Sequence, residues 1–240
     1  MTFFAPTFAQ FLEAPPVGAV LTREERDAIQ SLNVGPKHYQ SHTVISRQGD
    51  VEPRIFFLNS GWACVYRDLA NGDRQIIDIP LKGDIVGIRA VDGPNYNSLG
   101  SITDLSVFEI SRHALAKSLQ HLPGLSRLFM RAAARQYSIV TEHLTNTGRR
   151  NALVRTAHYL QELGARLTAV GEGNEMGYEC PLTQHELADV LGLTAIHVNR
   201  TLRELRENEL VSFRSGFVEF LNKQKLTKLT SFDADYLKMT

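Results

Sequence analysis

Cysteine is scarce in this 240-residue chain: Cys64 and Cys180 are the only two, far apart and in no CxxC pair. That count argues against a disulfide framework and against a cysteine-rich metal site. Long apolar runs are missing too. None approaches the roughly 20 residues of a membrane-spanning helix. The opening "MTFFAPTFAQFLEAPP" has no basic segment ahead of an apolar core, as a secretory signal would. The expectation is a cytoplasmic protein with no membrane partner. Excess charge is absent, with 26 basic and 26 acidic residues. A non-specific polyanion binder is disfavoured, but a local basic face is not. The chain shows no Ser/His/Asp order, phosphate-cradling Gly loop or paired carboxylates in a plausible setting, so an enzyme is not expected.

What is present is ordinary for a globular protein: 43% hydrophobic and 22% charged residues, at a length comfortable for two domains. The pattern changes along the chain. "TREERDAIQSLN" (22–33) opens on a capping Thr and reads as a short helix. From Gly35 to about Ile110, short apolar runs are broken by "RQGD", "NSGW", "NGD" and "LKGD". Strands at this spacing predict a β sandwich, barrel or roll, and "WACVYRDLANGDRQIIDIP" predicts a hairpin with "NGD" as its turn. From Arg112 the period becomes helical. After "LPG" comes "LSRLFMRAAARQYSIVTEHLTNTG", whose residues Leu125, Phe129, Ala132, Ala133, Gln136, Ile139, Val140 and His143 fall near one stripe. Such a stripe suits a helix packed along a partner helix, or one lying on its own domain. Gly148 is expected to break it, before a further helix in "RRNALVRTAHYLQELGARL" and a polar turn leading into the short strand "YECPL".

The densest signal is "LTQHELADVLGLTAIHVNRTLRELRENELVSF" from Leu182. Thr183 and Glu186 make a capping box for one helix, Gly192 ends it, and Thr194 caps a second. The second helix has a buried face of Val198, Leu202 and Leu205, with Ala195, Ile196, His197, Asn199, Arg200 and Arg203 opposite. Two short helices about a Gly turn form a helix-turn-helix, and "LVSFRSGFVEFL", turning at "RSG", supplies a wing. The second helix of such a unit lies in the major groove. Arg200 is the expected guanine reader, through O6 and N7. His197 and Asn199 are further base or phosphate contacts, and Ile196 faces the DNA with them. Thr183, Gln184 and Thr194 position the backbone by bonding phosphate, with Arg203 and the wing residue Arg214 also on the DNA side. Glu204, Glu207 and Glu209 are expected on the side away from the duplex.

On these segments the chain resembles the Crp/Fnr family of bacterial transcription regulators, in an alphaproteobacterial-type subgroup. The resemblance runs from about Thr22 to the end. It is carried by "GDVEPRIFFLNSGWACVYR", "NGDRQIIDIPLKGDIVG", "TDLSVFEI", the helix-turn-helix segment and the ending "FDADYL". It implies an α+β chain. A jelly-roll-like β-roll sensor of cyclic-nucleotide-binding type would span 1–123, a dimerisation helix 124–148 and a winged helix-turn-helix domain 149–240. It also implies a homodimer on a pseudo-palindromic operator, with double-stranded DNA and RNA polymerase as partners. By position the family's recognition arginine falls on Arg200, whereas its usual Glu on that helix falls on Ile196, and His197 stands where Thr is common.

The sensor departs from the cyclic-AMP pattern. Ile88 occupies the position of the ribose-binding Glu, and the phosphate-binding Arg-Ser pair falls near Asn95 and Tyr96, with Arg89 close by. Cyclic AMP is therefore not the expected ligand; either an unidentified small molecule binds, or ligand control has been lost. Two Cys cannot supply the four thiolates by which oxygen-sensing members of that family hold an iron–sulfur cluster. His38, His42 and His113 have no spacing that suggests a haem or metal site, so no cofactor and no metal are expected. Cys64 is expected in the core, and Cys180 as a small apolar filler or, if exposed, a redox-responsive thiol. The alternative function is a ligand-binding module whose winged helix serves a protein interaction.

Overall fold

The computed structural model describes residues 6–52, 54–89, 93–119 and 121–238. In chain order the elements are α1 (Phe8–Glu13), α2 (Arg23–Ser31), β1 (Pro36–Tyr39), β2 (Val44–Ser46), β3 (Arg54–Ser60), β4 (Ala63–Asp68), β5 (Arg74–Asp78), β6 (Ile85–Val86), β7 (Ser98–Ser101), β8 (Leu105–Ser111), α3 (Arg112–Leu119) and α4 (Pro123–Arg149). They continue with α5 (Ala152–Ala169), β9 (Gly177–Glu179), α6 (Gln184–Leu191), α7 (Ala195–Glu207), β10 (Val211–Arg214), β11 (Phe217–Phe220), α8 (Lys223–Thr230) and a 3-10 turn, Ala234–Leu237. The fold is α+β. Residues 1–67, 79–134 and 239–240 form one compact unit, and 68–78 with 135–238 form a second.

The first unit is the β-roll. Its strands form antiparallel sheets in the orders β1-β8-β3-β6 and β2-β7-β4. Strand β3 shows why this stretch lacks a hydrophobic-polar alternation. Successive side chains point to opposite faces of a strand, and here both faces are buried. Phe56 and Leu58 meet Val65, Leu99 and Val107 between the sheets. Ile55 and Phe57 turn the other way, onto a core with Phe8, Phe11, Phe108, Leu125 and Phe129. Thr22 caps α2 with Glu25 at the third helical position, whose carboxylate also accepts the backbone N–H of Gly124 at 2.5 Å. The "NGD" turn closes as expected: Leu69 N–H donates to the Asp73 carbonyl at 2.8 Å, and Gly72 sits at φ 88°.

Helix α4 corrects one expectation and decides another. Gly148 does not break the helix, which continues to Arg149; the break comes at Arg150, and Asn151 caps α5 by accepting from Val154 N–H at 3.0 Å. One Gly costs only about 1 kcal/mol in a helix, too little to end one held elsewhere. The stripe of apolar residues packs on its own chain. Leu125 and Phe129 belong to the roll core with Ala132 packed against it, Ile139 is buried, and His143 pairs with Glu162. The large apolar side chains α4 leaves exposed are Met130, Tyr137, Val140 and Leu144.

Within the second unit, β10-β11-β9 form a three-stranded sheet beside α5, and Gly164 of α5 lies so close to the Phe220 ring that an added Cβ would stand 2.8 Å from it. Cys180 is buried among these elements, and burial pushes its thiol up to about 12. That thiol stays protonated, which removes the redox reading and leaves the apolar filler. Cys64 is likewise buried.

Candidate nucleic-acid interface

Helix α6 begins where the sequence dictates. Thr183 accepts from Glu186 N–H at 3.1 Å, and the Glu186 carboxylate accepts from Thr183 N–H at 2.8 Å, satisfying two donors that helix geometry orphans. The helix ends at Gly192, at φ 62° and ψ 41°, a left-handed conformation that costs other residues energy. Thr194 then caps α7, accepting from His197 N–H at 3.2 Å. Val198, Thr201, Leu202 and Leu205 are the buried face of α7, which packs on α5 and α6.

The opposite face is as expected. Ile196, Asn199, Arg200 and Arg203 are exposed, and Ala195 and His197 half-buried. Asn199 Nδ2 donates to Gln184 Oε1 at 3.1 Å, so a residue from each helix of the motif is tied to the other. Thr183 and Thr194, both exposed, accept the cap hydrogen bonds through their hydroxyl oxygens. The wing turns through Ser215 at φ 50° and Gly216 at φ 76°, the paired positive φ of a type I′ turn, with Arg214 exposed at its base. One acidic residue is not where it was expected. Glu207 lies beside Arg203, accepting from its Nε at 2.7 Å, because residues four apart share a helix face.

No local pattern marks what lies against α6. Gln75, in β5, donates from Nε2 to the carbonyls of Asp189 at 2.7 Å and Val190 at 3.3 Å, satisfying the last turn of that helix. A cavity of about 850 Å³ opens beside this contact, lined by Asp68, Asp73, His185, Thr194 and His197 among others. Contacts over such separations carry no local signature.

Helix α5 also holds a buried ion cluster. Arg166 Nη1 lies 2.9 Å from Asp78 Oδ1 and 3.5 Å from Glu162 Oε1. Glu162 also takes His143 Nε2 and the Tyr236 hydroxyl, each at 2.8 Å. His143 Nδ1 faces the Ile77 carbonyl at 3.0 Å, so both ring nitrogens meet acceptors and both must carry protons. Burial alone would lower the His143 pKa; attraction to Glu162, their hydrogen bond and Asp78 outweigh it and raise it to about 9. Burial likewise works to raise Glu162, but His143, Arg166 and Tyr236 hold it at about 2. His158 is the reverse case. Burial, aided by Arg150, depresses it to about 4, and Asn146 Nδ2 stands 3.0 Å from its Nδ1.

Comparison with known proteins agrees with this geometry. A cyclic nucleotide-binding domain model matches residues 36–121, and a Crp-like helix-turn-helix domain model matches 154–229. The chain is 25% identical over 194 residues to the nitrogen fixation regulation protein FixK of Bradyrhizobium diazoefficiens, 81% of each chain. It is 28% identical over 179 residues to FixK of Rhizobium meliloti, covering 74% of this chain and 78% of that one. The fumarate and nitrate reduction regulatory protein of Vibrio cholerae is 25% identical over 210 residues, 87% of this chain and 84% of its own. The fold matches the structure of FixK2 from Bradyrhizobium japonicum with a TM-score of 0.75 at 24% identity, over 84% of this chain and 99% of that one. These relatives are named as regulators, not enzymes. With a cyclic-nucleotide-binding-type roll followed by a Crp-like helix-turn-helix, the chain belongs to the Crp/Fnr family of DNA-binding transcription regulators.

Proposed function

We propose that the protein is a cytoplasmic, sequence-specific regulator that acts as a homodimer on a pseudo-palindromic operator, with half-sites roughly 34–36 Å apart. The observation that carries the reading is the outer face of α7, which leaves Ile196, Asn199, Arg200 and Arg203 exposed on a helix whose inner face is locked. Arg200 reads guanine. Ile196, His197 and Asn199 face the groove floor or its walls, and Thr183, Gln184, Thr194, Arg203 and the wing residue Arg214 bind the phosphate backbone. Residues 149–240 are the DNA-binding domain, 124–148 the dimerisation helix and 1–123 the sensor. Dimerisation is supported by an unpartnered seam on α4: Met130, Tyr137 and Leu144, exposed by 75%, 75% and 73%, recur every seven residues. A seven-residue apolar repeat is what a supercoiled helix pair buries.

Among its described residues the sensor lacks the cyclic-AMP phosphate grip. Ile88 packs against the roll core, so no carboxylate stands there for a ribose hydroxyl. Arg89 Nη1 donates to the carbonyls of Gly93 at 3.3 Å and Pro94 at 2.6 Å, and its guanidinium lies 4.5 Å from the Tyr96 ring centroid. These contacts engage the guanidinium inside the chain. Any effector is a different small molecule, and RNA polymerase is the protein partner on DNA.

The test is Arg200→Ala, assayed against fragments selected from random double-stranded DNA by the wild-type protein. Losing a bidentate guanine contact is expected to cost about 1–3 kcal/mol, roughly ten- to a hundredfold in preference for the selected site. The sedimentation of the dimer should not change. A variant that keeps full preference overturns the assignment of α7 as the reading helix.

A further inference from the structure

We propose that Ile196 is a specificity residue that reads the C5-methyl group of a thymine, one or two base pairs from the guanine read by Arg200. The inference rests on the DNA-binding reading above and names what that face recognises.

Ile196 is the most exposed large apolar side chain among the described residues, at 84%. It belongs to neither core cluster. It stands in the first turn of α7, two residues after the capping Thr194, where helices favour acidic side chains; α7 has none there. Helix stability therefore gives no reason for an Ile at this point. The side chain is β-branched and held to essentially one χ1 rotamer in a helix, so it meets a partner without further loss of freedom.

Its neighbours fix what that partner can be. Positions 196, 199, 200 and 203 share one stripe of the helix, and all four are exposed. Ile196 lies one turn before Arg200, roughly 6 Å along the axis. Stacked base pairs are spaced about 3.4 Å, so the two side chains face base pairs one or two steps apart. An Ile neither donates nor accepts a hydrogen bond. The major-groove edges offer one apolar group, the thymine methyl; every other edge there is a donor or an acceptor. Set against a cytosine, Ile196 would strip water from an amino group and return nothing. Set against a thymine, it buries a methyl.

The experiment uses the full-length protein and the site it selects from random double-stranded DNA. Each thymine of the half-site is replaced in turn by uracil, which pairs identically but lacks the methyl group. At one position, within two base pairs of the guanine whose recognition depends on Arg200, the wild-type protein is expected to bind roughly three- to tenfold more weakly. Ile196→Ala should show no further loss there, and should relax base preference at that pair alone. Circular dichroism would show the variant folded, since the site is on the surface. If no uracil substitution weakens the wild type, if the half-site has no thymine within that range, or if Ile196→Ala is as sensitive as the wild type, the inference falls. It falls alone when Arg200→Ala still loses preference for the selected site, and with the DNA-binding reading when no site is selected.

Discussion

Helices α5 and α7 carry similar polar residues and put them to opposite uses. In α5, Glu162 and Arg166 are almost wholly buried, and each is paired within the second unit. In α7, Asn199, Arg200 and Arg203 stand in solvent. Burying an ion costs several kcal/mol unless partners return it, so charges inside a protein are held by geometry. Charges left outside are free to meet a partner. The contrast separates the platform from the reading head: α5 packs under α7 with its charges paired inside, and α7 holds its polar groups at the surface, Asn199 and Arg203 in exposed pairs.

The largest expected effect breaks this contrast at its buried end. Glu162→Ala removes the counter-charge of His143 and Arg166 and the acceptor of Tyr236 in one step. Leaving buried charge uncompensated is expected to cost about 3–5 kcal/mol, read as a lower midpoint in urea unfolding. Arg200→Ala, on the exposed helix face, is expected to stay within about 0.5 kcal/mol of wild type. Equal midpoints for the two variants would erase the distinction between platform and reader.

A smaller effect, spread over pH, tests the same platform. His143 is raised to about 9 from 6.5, so its stabilisation is whole below about pH 6.5 and is lost as pH climbs through 9. His158 is lowered to about 4, so its contribution is whole above about pH 6.5 and is lost as pH falls toward 4. Glu162, held at about 2, gives stability that is present above about pH 4.5 and lost only in strong acid. Thermal melts across pH 4–9 should therefore trace a dome centred near neutrality. His143→Gln should flatten its alkaline side and His158→Gln its first acid side. An alkaline limb unchanged in His143→Gln would show that the imidazole is not held charged.

Local chemistry made much of this legible in the sequence. The capping Thr22, the capping box at Thr183, the "NGD" turn and the two faces of α7 follow from hydrogen bonding or side-chain periodicity within a few residues. What stayed hidden depends on distant pairing. Helix α4 has two apolar stripes, and composition alone does not say which turns inward; the roll core claims Leu125 and Phe129, leaving Met130, Tyr137 and Leu144 outside. Arg166 finds Asp78 and Gln75 finds Asp189 across long stretches of chain, with no periodicity to announce either. Glu207 beside Arg203 is set by helix geometry, which puts residues four apart on one face.

The smallest expected effect sharpens the exposed end. Thr183 caps α6 with both arms of a capping box, but Thr194 caps α7 with one, since the third helical position is His197 and returns no bond to the cap. Thr194→Ala should cost about 1 kcal/mol of stability, and Thr194→Ser much less. The loss falls on the first turn of α7, which carries Ile196 and His197, whereas Arg200 lies a full turn deeper in the helix. A frayed first turn should weaken binding to the selected site a fewfold while leaving the preference for guanine opposite Arg200 intact. If Thr194→Ala instead loses that preference along with affinity, the cap sets the position of the whole reading face rather than of its first turn.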